Sequence, residues 1–266
     1  MWNPFSRTRK QNGVKTSFRP RFDVLENRIT PVQDIWRGGG GTIFWSTNAN
    51  WSLGQAPGPD DTAVFNDTSK IGNAFVNCVA DPLMAGTTFN SLDMSGYGGT
   101  LFLRQSLTFN GGAGSYMYGS RVQTATGLSN KSITFGTRVY ISAAVFNSVD
   151  VNIPAGAVAG IGSARFVSDW FNNYGTTFFP AATIPGSAIA LNSGANIYNG
   201  SSGQFNIQAV LVGNNGTISN NVGMMGQFQN NGTITVSSSA TVGVPIVNFA
   251  GTIQRSRPIC ARGGTA

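Results

Sequence analysis

The chain has 266 residues, 41% of them hydrophobic, which is enough to bury a sizeable core in one large domain or two small ones. Only 10% of the residues are charged, and 35 glycines with many Asn, Ser and Thr take their place, a composition typical of extracellular β-structure. The net charge of +7 divides into +5 for residues 1–37 (eight basic, three acidic), +3 for residues 254–266 and −1 for the residues between. The central part therefore has no basic face for phosphates, and nucleic-acid binding is not expected.

Alternating, strand-like segments recur along the chain, for example Thr100-Leu101-Phe102-Leu103 and Thr233 to Val236. No amphipathic helical pattern lasts more than two turns, so the chain is predicted to be nearly all β. No run of about 18 apolar residues predicts a transmembrane helix, and the first residues lack the apolar region of a standard signal peptide.

Residues 1–33 form a basic leader without apolar periodicity, which we expect to be disordered. Within it, Arg19-Pro20-Arg21-Phe22 precedes Leu25-Glu26-Asn27-Arg28-Ile29-Thr30-Pro31. This Leu-Glu-x-Arg-x-x-Pro motif resembles the leader that opens many large surface proteins of planctomycete bacteria. A frayed N-terminal arm is the alternative interpretation.

Residues 34–69 are rich in Trp and Gly and contain Trp36-Arg37-Gly38-Gly39, Trp45-Ser46 and Asn50-Trp51-Ser52, followed by Asp60-Asp61 and Ala63-Val64-Phe65. The arrangement resembles the phrase that begins β-helical passengers in autotransporter-like and planctomycete proteins. Large amphipathic rings can cover the open strand edges and apolar core at the start of a solenoid, so we predict an N-terminal cap. Alternatively, Trp36, Trp45 and Trp51 line a carbohydrate site. Buried rings indicate the cap, and solvent-facing rings indicate the sugar site.

Residues 70–253 carry a recurring phrase in which Asn precedes Gly-Thr and a short strand. Its copies are Asn172-Asn173-Tyr174-Gly175-Thr176, Asn214-Asn215-Gly216-Thr217-Ile218, Asn230-Asn231-Gly232-Thr233-Ile234 and Asn248-Phe249-Ala250-Gly251-Thr252-Ile253. A unit this short cannot bury a core alone and must stack on its neighbours. We therefore predict a right-handed parallel β-helix of roughly nine coils of about 20 residues.

The phrase also predicts contacts between successive coils. Asn at one corner can form a ladder in which each side-chain amide bonds the next, and Ile218, Ile234 and Ile253 are expected in one interior column. The alternative is a set of ordinary hairpins with Asn-Gly turns, which would not require near-constant spacing.

The chain contains no histidine, which removes Ser-His-Asp and Cys-His nucleophiles and nearly every zinc site. The acids of the central part are scattered singly, at Asp60, Asp61, Asp67, Asp81, Asp93, Asp150 and Asp169. We therefore predict no catalytic residue, no metal and no cofactor. Arg165 with Asp169 and Trp170 is the one close group that could bind an anionic sugar, although such a pair is more often a surface ion pair.

Residues 254–266 form an irregular basic tail in which the repeat pattern stops. We expect the end of a truncated gene product, with an uncapped coil through which the protein associates with itself. Cys260 lies in this tail, and spacing gives no support to a disulfide with Cys78 or to a metal-binding cysteine pair.

The leader and cap phrases together resemble planctomycete-type, autotransporter-like β-helix surface proteins. The resemblance implies an extracellular or cell-surface protein with adhesive or structural use, and cell-surface polysaccharide or other surface proteins as partners. Two alternatives stay open. A carbohydrate-active enzyme needs Asp150, Asp169 and Arg165 within about 6 Å of one another, and a carbohydrate-binding module needs exposed tryptophan rings.

Overall fold

The chain forms a parallel β-helix, seen here in a computed structural model that describes residues 32–179, 188–192, 195–207, 217–220, 228–236, 241–243 and 246–255. Nearly every regular element is a short strand, and three long sheets run through these residues with all their neighbouring strands parallel. Most of the predicted leader and tail lies outside the described residues. In the part that is described, no helix has the length and hydropathy to cross a membrane.

The first sheet, sheet 1, has ten strands in spatial order along the helix. They are β1 (Gln33–Ile35), β2 (Thr62–Val64), β7 (Ser91–Asp93), β10 (Ser115–Tyr118), β13 (Arg138–Ser142), β16 (Val158–Ile161), β19 (Thr176–Phe179), β22 (Gln204–Ile207), β25 (Thr233–Val236) and β28 (Thr252–Arg255).

The other two long sheets have eight strands each. Sheet 2 contains β5 (Cys78–Ala80), β8 (Thr100–Leu103), β11 (Arg121–Thr124), β14 (Ala144–Asn147), β17 (Ala164–Val167), β20 (Ala188–Asn192), β23 (Thr217–Asn220) and β26 (Thr241–Gly243). Sheet 3 contains β6 (Thr88–Phe89), β9 (Leu107–Phe109), β12 (Lys131–Phe135), β15 (Val149–Ile153), β18 (Trp170–Asn173), β21 (Asn196–Asn199), β24 (Phe228–Asn230) and β27 (Ile246–Asn248).

Four small elements interrupt the first coils. They are the antiparallel pair β3 (Lys70–Ile71) and β4 (Ala74–Phe75) and two 3₁₀ turns at Asn48–Asn50 and Pro82–Met84. The second turn is capped by Asp81, whose side chain accepts from the Leu83 amide.

From β2 to β27, each coil contributes one strand to each sheet in the order sheet 1, sheet 2, sheet 3, and each of these strands pairs with its counterpart in a neighbouring coil. The predicted parallel β-helix is thus confirmed, and consecutive hairpins are not the organising element. Sheets 2 and 3 hold eight described strands each, close to the roughly nine coils expected.

The core lies between the three sheets because the strands alternate buried and outward side chains. In β15 the pattern is buried, half-buried, buried, half-buried, buried, as period-2 strands require. Sheet 1 contains one such interior column, in which neighbours in register include Val139, Ala159, Thr177, Phe205 and Ile234.

The predicted isoleucine column is correct for Ile234 and Ile253, which pair in register in sheet 1. It is wrong for Ile218, which lies on a sheet 2 strand between Ile189 and Val242. Ile234 is fully buried, whereas Ile253 on the last described strand is 47% exposed. Association through this end stays a prediction.

The predicted asparagine ladder is present at the corner where sheet 3 leads into sheet 1. Asn173 donates to Asn199 at 2.7 Å, Asn199 to Asn230 at 2.8 Å and Asn230 to Asn248 at 2.8 Å, each from Nδ2 to Oδ1. The first three of these side chains are fully buried. Buried amides need such partners, so the ladder fixes how one coil stacks on the next.

One of the four phrase copies differs in the structure from its prediction. Thr217 begins a strand of sheet 2, so the Asn214 copy leads into a different sheet from the other three copies. The ladder position of that coil is instead taken by Asn199, which is followed by Gly200 and, after a four-residue corner, by the strand at Gln204. Variable corner length concealed this copy in the sequence.

Candidate functional site

The three tryptophans of the N-terminal segment are buried together. Trp36 and Trp45 are 0% exposed and Trp51 is 3% exposed. The Trp51 ring lies 5.2 Å from that of Trp36 and 5.0 Å from that of Trp45, both edge to face. Trp51 Nε1 donates to the Trp45 carbonyl at 2.7 Å, and Trp36 Nε1 donates to the Val76 carbonyl at 3.0 Å.

The cluster continues into the core of the first coils. Phe65 contacts all three tryptophan rings, and Trp45 lies 5.2 Å from Phe89, which begins a column with Phe109 and Phe135. Rings enclosed in this way have no face for a sugar, so the carbohydrate site suggested for Trp36, Trp45 and Trp51 is wrong. Their burial favours the cap.

The second group suggested from the sequence, Arg165 with Asp169 and Trp170, is not a site either. Arg165 points outward from the second position of β17 and is exposed, whereas Asp169 is buried at the following corner and is only 2% exposed. No ion pair joins these two described residues. Trp170 is half-buried on the outer side of β18, where its amide donates to Asp150 Oδ1 at 3.0 Å.

Asp169 is an unusual carboxyl because neither of its oxygens has a hydrogen-bond partner in the described structure. Burial raises its pKa to about 8, and the neighbouring Asp150 carboxylate adds to the rise. The backbone groups of Val167 and Val149 oppose this effect without meeting full hydrogen-bond geometry. Asp169 is therefore largely protonated near neutral pH.

The Asp150 and Asp169 carboxyls are close enough to interact, but Arg165 does not join them. A substrate could not reach the sealed Asp169 side chain without local opening. Among the described residues, no three His, Cys, Asp or Glu side chains are grouped as metal ligands. The buried thiol of Cys78 is free, and desolvation by burial followed by the nearby Asp81 charge raises its pKa well above the usual value.

A different group of side chains does face solvent together, on the outer side of sheet 1. Tyr116, Tyr140 and Phe178 occupy one outward column, in which Tyr116 pairs with Tyr140, Tyr140 with Gly160, and Gly160 with Phe178. Tyr116 is 49% exposed, and Tyr140 and Phe178 are each 38% exposed. Tyr118, at 53%, lies two residues beyond Tyr116 on the same side of β10. We call these four residues the aromatic face.

Glycine allows the Tyr140 ring to lie along the sheet. A β-carbon placed on Gly160 would be 3.2 Å from Cδ2 of Tyr140, and one placed on Gly162 would be 3.0 Å from its hydroxyl oxygen. The ring therefore extends across the next coil toward the corner that leads into sheet 2. Four exposed aromatic rings on one sheet face are more than scattered surface hydrophobics, and they form a candidate binding surface.

Arginines flank the aromatic face on both sides. Arg138 begins β13 and points outward, two residues before Tyr140. Across the corner, Arg121 and Arg165 point outward from sheet 2. A shallow groove of about 350 Å³ lies at this corner and is lined by Ala143, Ala144, Val145, Ser163, Ala164 and Arg165. The arrangement combines flat apolar surface with cationic donors.

Sequence reasoning missed the aromatic face although it identified Arg165. Strand alternation places Tyr116 and Tyr140 on the outside of their own strands, but it does not say which strands become neighbours. Coil length varies, so the column could not be aligned from spacing.

Comparison with known proteins gives no match to a family model, to a curated protein or to a solved structure.

Proposed function

We propose that this protein is a non-catalytic, exported surface β-helix that binds polysaccharide in an adhesin-like manner. The observation that carries the proposal is the aromatic face: Tyr116, Tyr140 and Phe178 in one exposed column, with Tyr118 beside them. Planar aromatic rings offer an apolar surface on which the faces of sugars can pack. The tyrosine hydroxyls can hydrogen-bond to the surrounding water.

The scaffold suits a long, repetitive ligand better than a compact one. Strands stack about 4.8 Å apart. The column from Tyr116 to Phe178 therefore spans four coils along the helix axis and carries a ring on three of them, with Gly160 on the other. A protein partner would more often be held by anchors in enclosed pockets, and the rings here lie on an open face. A linear polysaccharide can follow such a face for several coils.

The non-catalytic part of the proposal is supported by the arrangement of acids. Asp150 lies on the outer side of sheet 3, and Asp169 is sealed at the corner before it, so neither belongs to the aromatic face. Export to the cell surface is supported by the low content of charged residues and by the resemblance of the Leu25 to Pro31 motif and the tryptophan phrase to planctomycete surface proteins.

Pull-down of the purified chain with insoluble cellulose, chitin and xylan tests the proposal. We expect retention on at least one polymer and loss of retention in a Tyr116→Ala, Tyr140→Ala double variant, while Tyr140→Phe, which keeps the ring, retains most of it. Leu83→Ala serves as the control because Leu83 is 82% exposed in a different part of the chain. If the double variant is retained as well as the unaltered chain, the aromatic face is not the binding site.

A further inference from the structure

Resting on the proposed function, we infer that the polysaccharide bound at the aromatic face is acidic, with Arg121 and Arg165 holding its anionic groups. The two arginines occupy one outward column of sheet 2, since each pairs in register with Val145 on the strand between them. Both side chains are exposed. Two strand spacings place the two positions about 10 Å apart along the helix axis.

The arginine column is continuous with the aromatic face. Tyr118 ends β10 and Arg121 begins β11, so only Gly119 and Ser120 separate them. On the later coil, the Tyr140 hydroxyl lies over Gly162, and the chain then runs through Ser163 to Arg165. The corner groove lies along this path and includes Ser163 and Arg165 in its lining. A ligand stacked on the tyrosines would therefore meet the arginines.

Over three successive coils the charge at this corner is positive, while the preceding strand of sheet 1 carries Asp93 in register with Tyr116. Residues 115–125, 138–147 and 158–167, which form the sheet 1 and sheet 2 strands of three successive coils, contain Arg121, Arg138 and Arg165 and no Asp or Glu. Within the described structure none of these arginines makes an ion pair. Guanidinium groups suit carboxylate and sulfate because their donors match two oxygens at once. An anionic ligand is therefore complementary to the corner, and a cationic one is not.

The spacing also indicates how the ligand runs. An extended pyranose chain advances by about one sugar per strand spacing, so a chain parallel to the helix axis passes one sugar over each coil. Along the outward column of sheet 2, the strands β11, β14 and β17 carry Arg121, Val145 and Arg165 in turn. This pattern fits a polymer that carries its acidic group on every second sugar.

Binding to two polymers with the same backbone tests the inference. Carboxymethylcellulose is acidic and hydroxyethylcellulose is neutral, and both can be titrated against the full chain by affinity electrophoresis. We expect tighter binding of the acidic polymer, weakened by added salt because exposed charges are screened. An Arg121→Gln, Arg165→Gln double variant should bind it about five- to tenfold more weakly, since each exposed charge contact is worth up to about fivefold.

Matched controls separate charge from folding. Arg104→Gln removes the same charge from an exposed site after β8 and should leave binding unchanged. The Arg121→Lys, Arg165→Lys variant should retain most of the affinity, and the neutral polymer should bind all variants alike. The inference would be overturned if the unaltered chain bound both polymers equally and the double Gln variant bound them as the unaltered chain does. The proposed function would then still stand. If neither polymer binds the unaltered chain and the insoluble polymers also fail, both proposals are wrong.

Discussion

Asn199 donates from Nδ2 to Oδ1 of Asn230, one coil away, at 2.8 Å, and both side chains are fully buried. The same amide also faces the carbonyls of Gly203 and Thr233, at 3.3 and 3.2 Å. Because an unpaired amide in an apolar interior is costly, the two asparagines stabilise the stack only when they are aligned. The ladder therefore selects one stacking arrangement of the last described coils.

The first prediction concerns the start of this ladder. Asn173 donates to Asn199 Oδ1 at 2.7 Å and to the Gln204 carbonyl at 3.0 Å, and it accepts from Thr177 Oγ1 at 2.9 Å. Asn173→Ala leaves these buried groups without a partner and should lower the free energy of unfolding by about 2 to 4 kcal/mol. Urea unfolding followed by circular dichroism measures the change.

Asn172 provides a neighbouring control. It points outward, is half-buried and donates to Asn152 Oδ1 at 2.9 Å, so water can replace its partner when it is removed. Asn172→Ala should cost less than about 1 kcal/mol. Equal losses in the two variants would mean that the inner ladder adds nothing beyond an ordinary surface hydrogen bond.

The second prediction concerns the glycines that precede the strands of sheet 1 at the ladder corner. A β-carbon on Gly232 would contact the carbonyl oxygens of Gly203 and Gly200 at less than van der Waals distance. Gly232→Ala must therefore push successive coils apart and should destabilise the protein by about 1 to 3 kcal/mol. Gly112→Ala is the control, since a β-carbon there meets no atom within 4 Å. Thermal unfolding of the two variants gives the comparison, and a stable Gly232→Ala protein would show that the corner can relax.

These residues explain which parts of the fold were predictable. A tight corner with a buried amide needs Asn and Gly just before the strand. This need is local, so the sequence predicts such corners at Asn173 with Gly175 and at Asn230 with Gly232. The alignment of coils is not local. Asn214 shares the phrase, but the strand that follows it belongs to sheet 2. The aromatic face depends on the pairing of Tyr116 with Tyr140, and that pairing is set by the length of the coil between them.

The third prediction concerns the N-terminal cap. Trp51 is 3% exposed, contacts Trp36, Trp45 and Phe65, and donates to the Trp45 carbonyl. Trp51→Ala should cost about 3 to 5 kcal/mol because it opens a cavity among large rings. Trp170→Ala removes a half-buried ring from the outer side of sheet 3 and should cost clearly less. Urea unfolding decides the point, and similar midpoints for the two variants would show that Trp51 does not support the first coils.

The last prediction is a dependence of stability on pH that arises from Asp169. Its pKa is about 8 in the folded chain and near 3.8 when the chain is unfolded, so between these values the folded state holds a proton that the unfolded state has lost. The free energy of unfolding should therefore fall as pH rises from about 4 to about 8, by a few kcal/mol. The chain has no histidine, which leaves few other groups to titrate in this range.

Asp169→Asn keeps the shape of the side chain and removes its titration. Between pH 5 and pH 9 the melting temperature of the variant should change less than that of the unaltered protein, and the variant should be the more stable of the two at pH 9. Asp150→Asn removes the neighbouring charge and should weaken the dependence without abolishing it, because burial is the larger cause of the raised pKa. Parallel melting curves for the unaltered protein and Asp169→Asn across this range would show that the carboxyl is solvated or paired, and that its burial does not control stability.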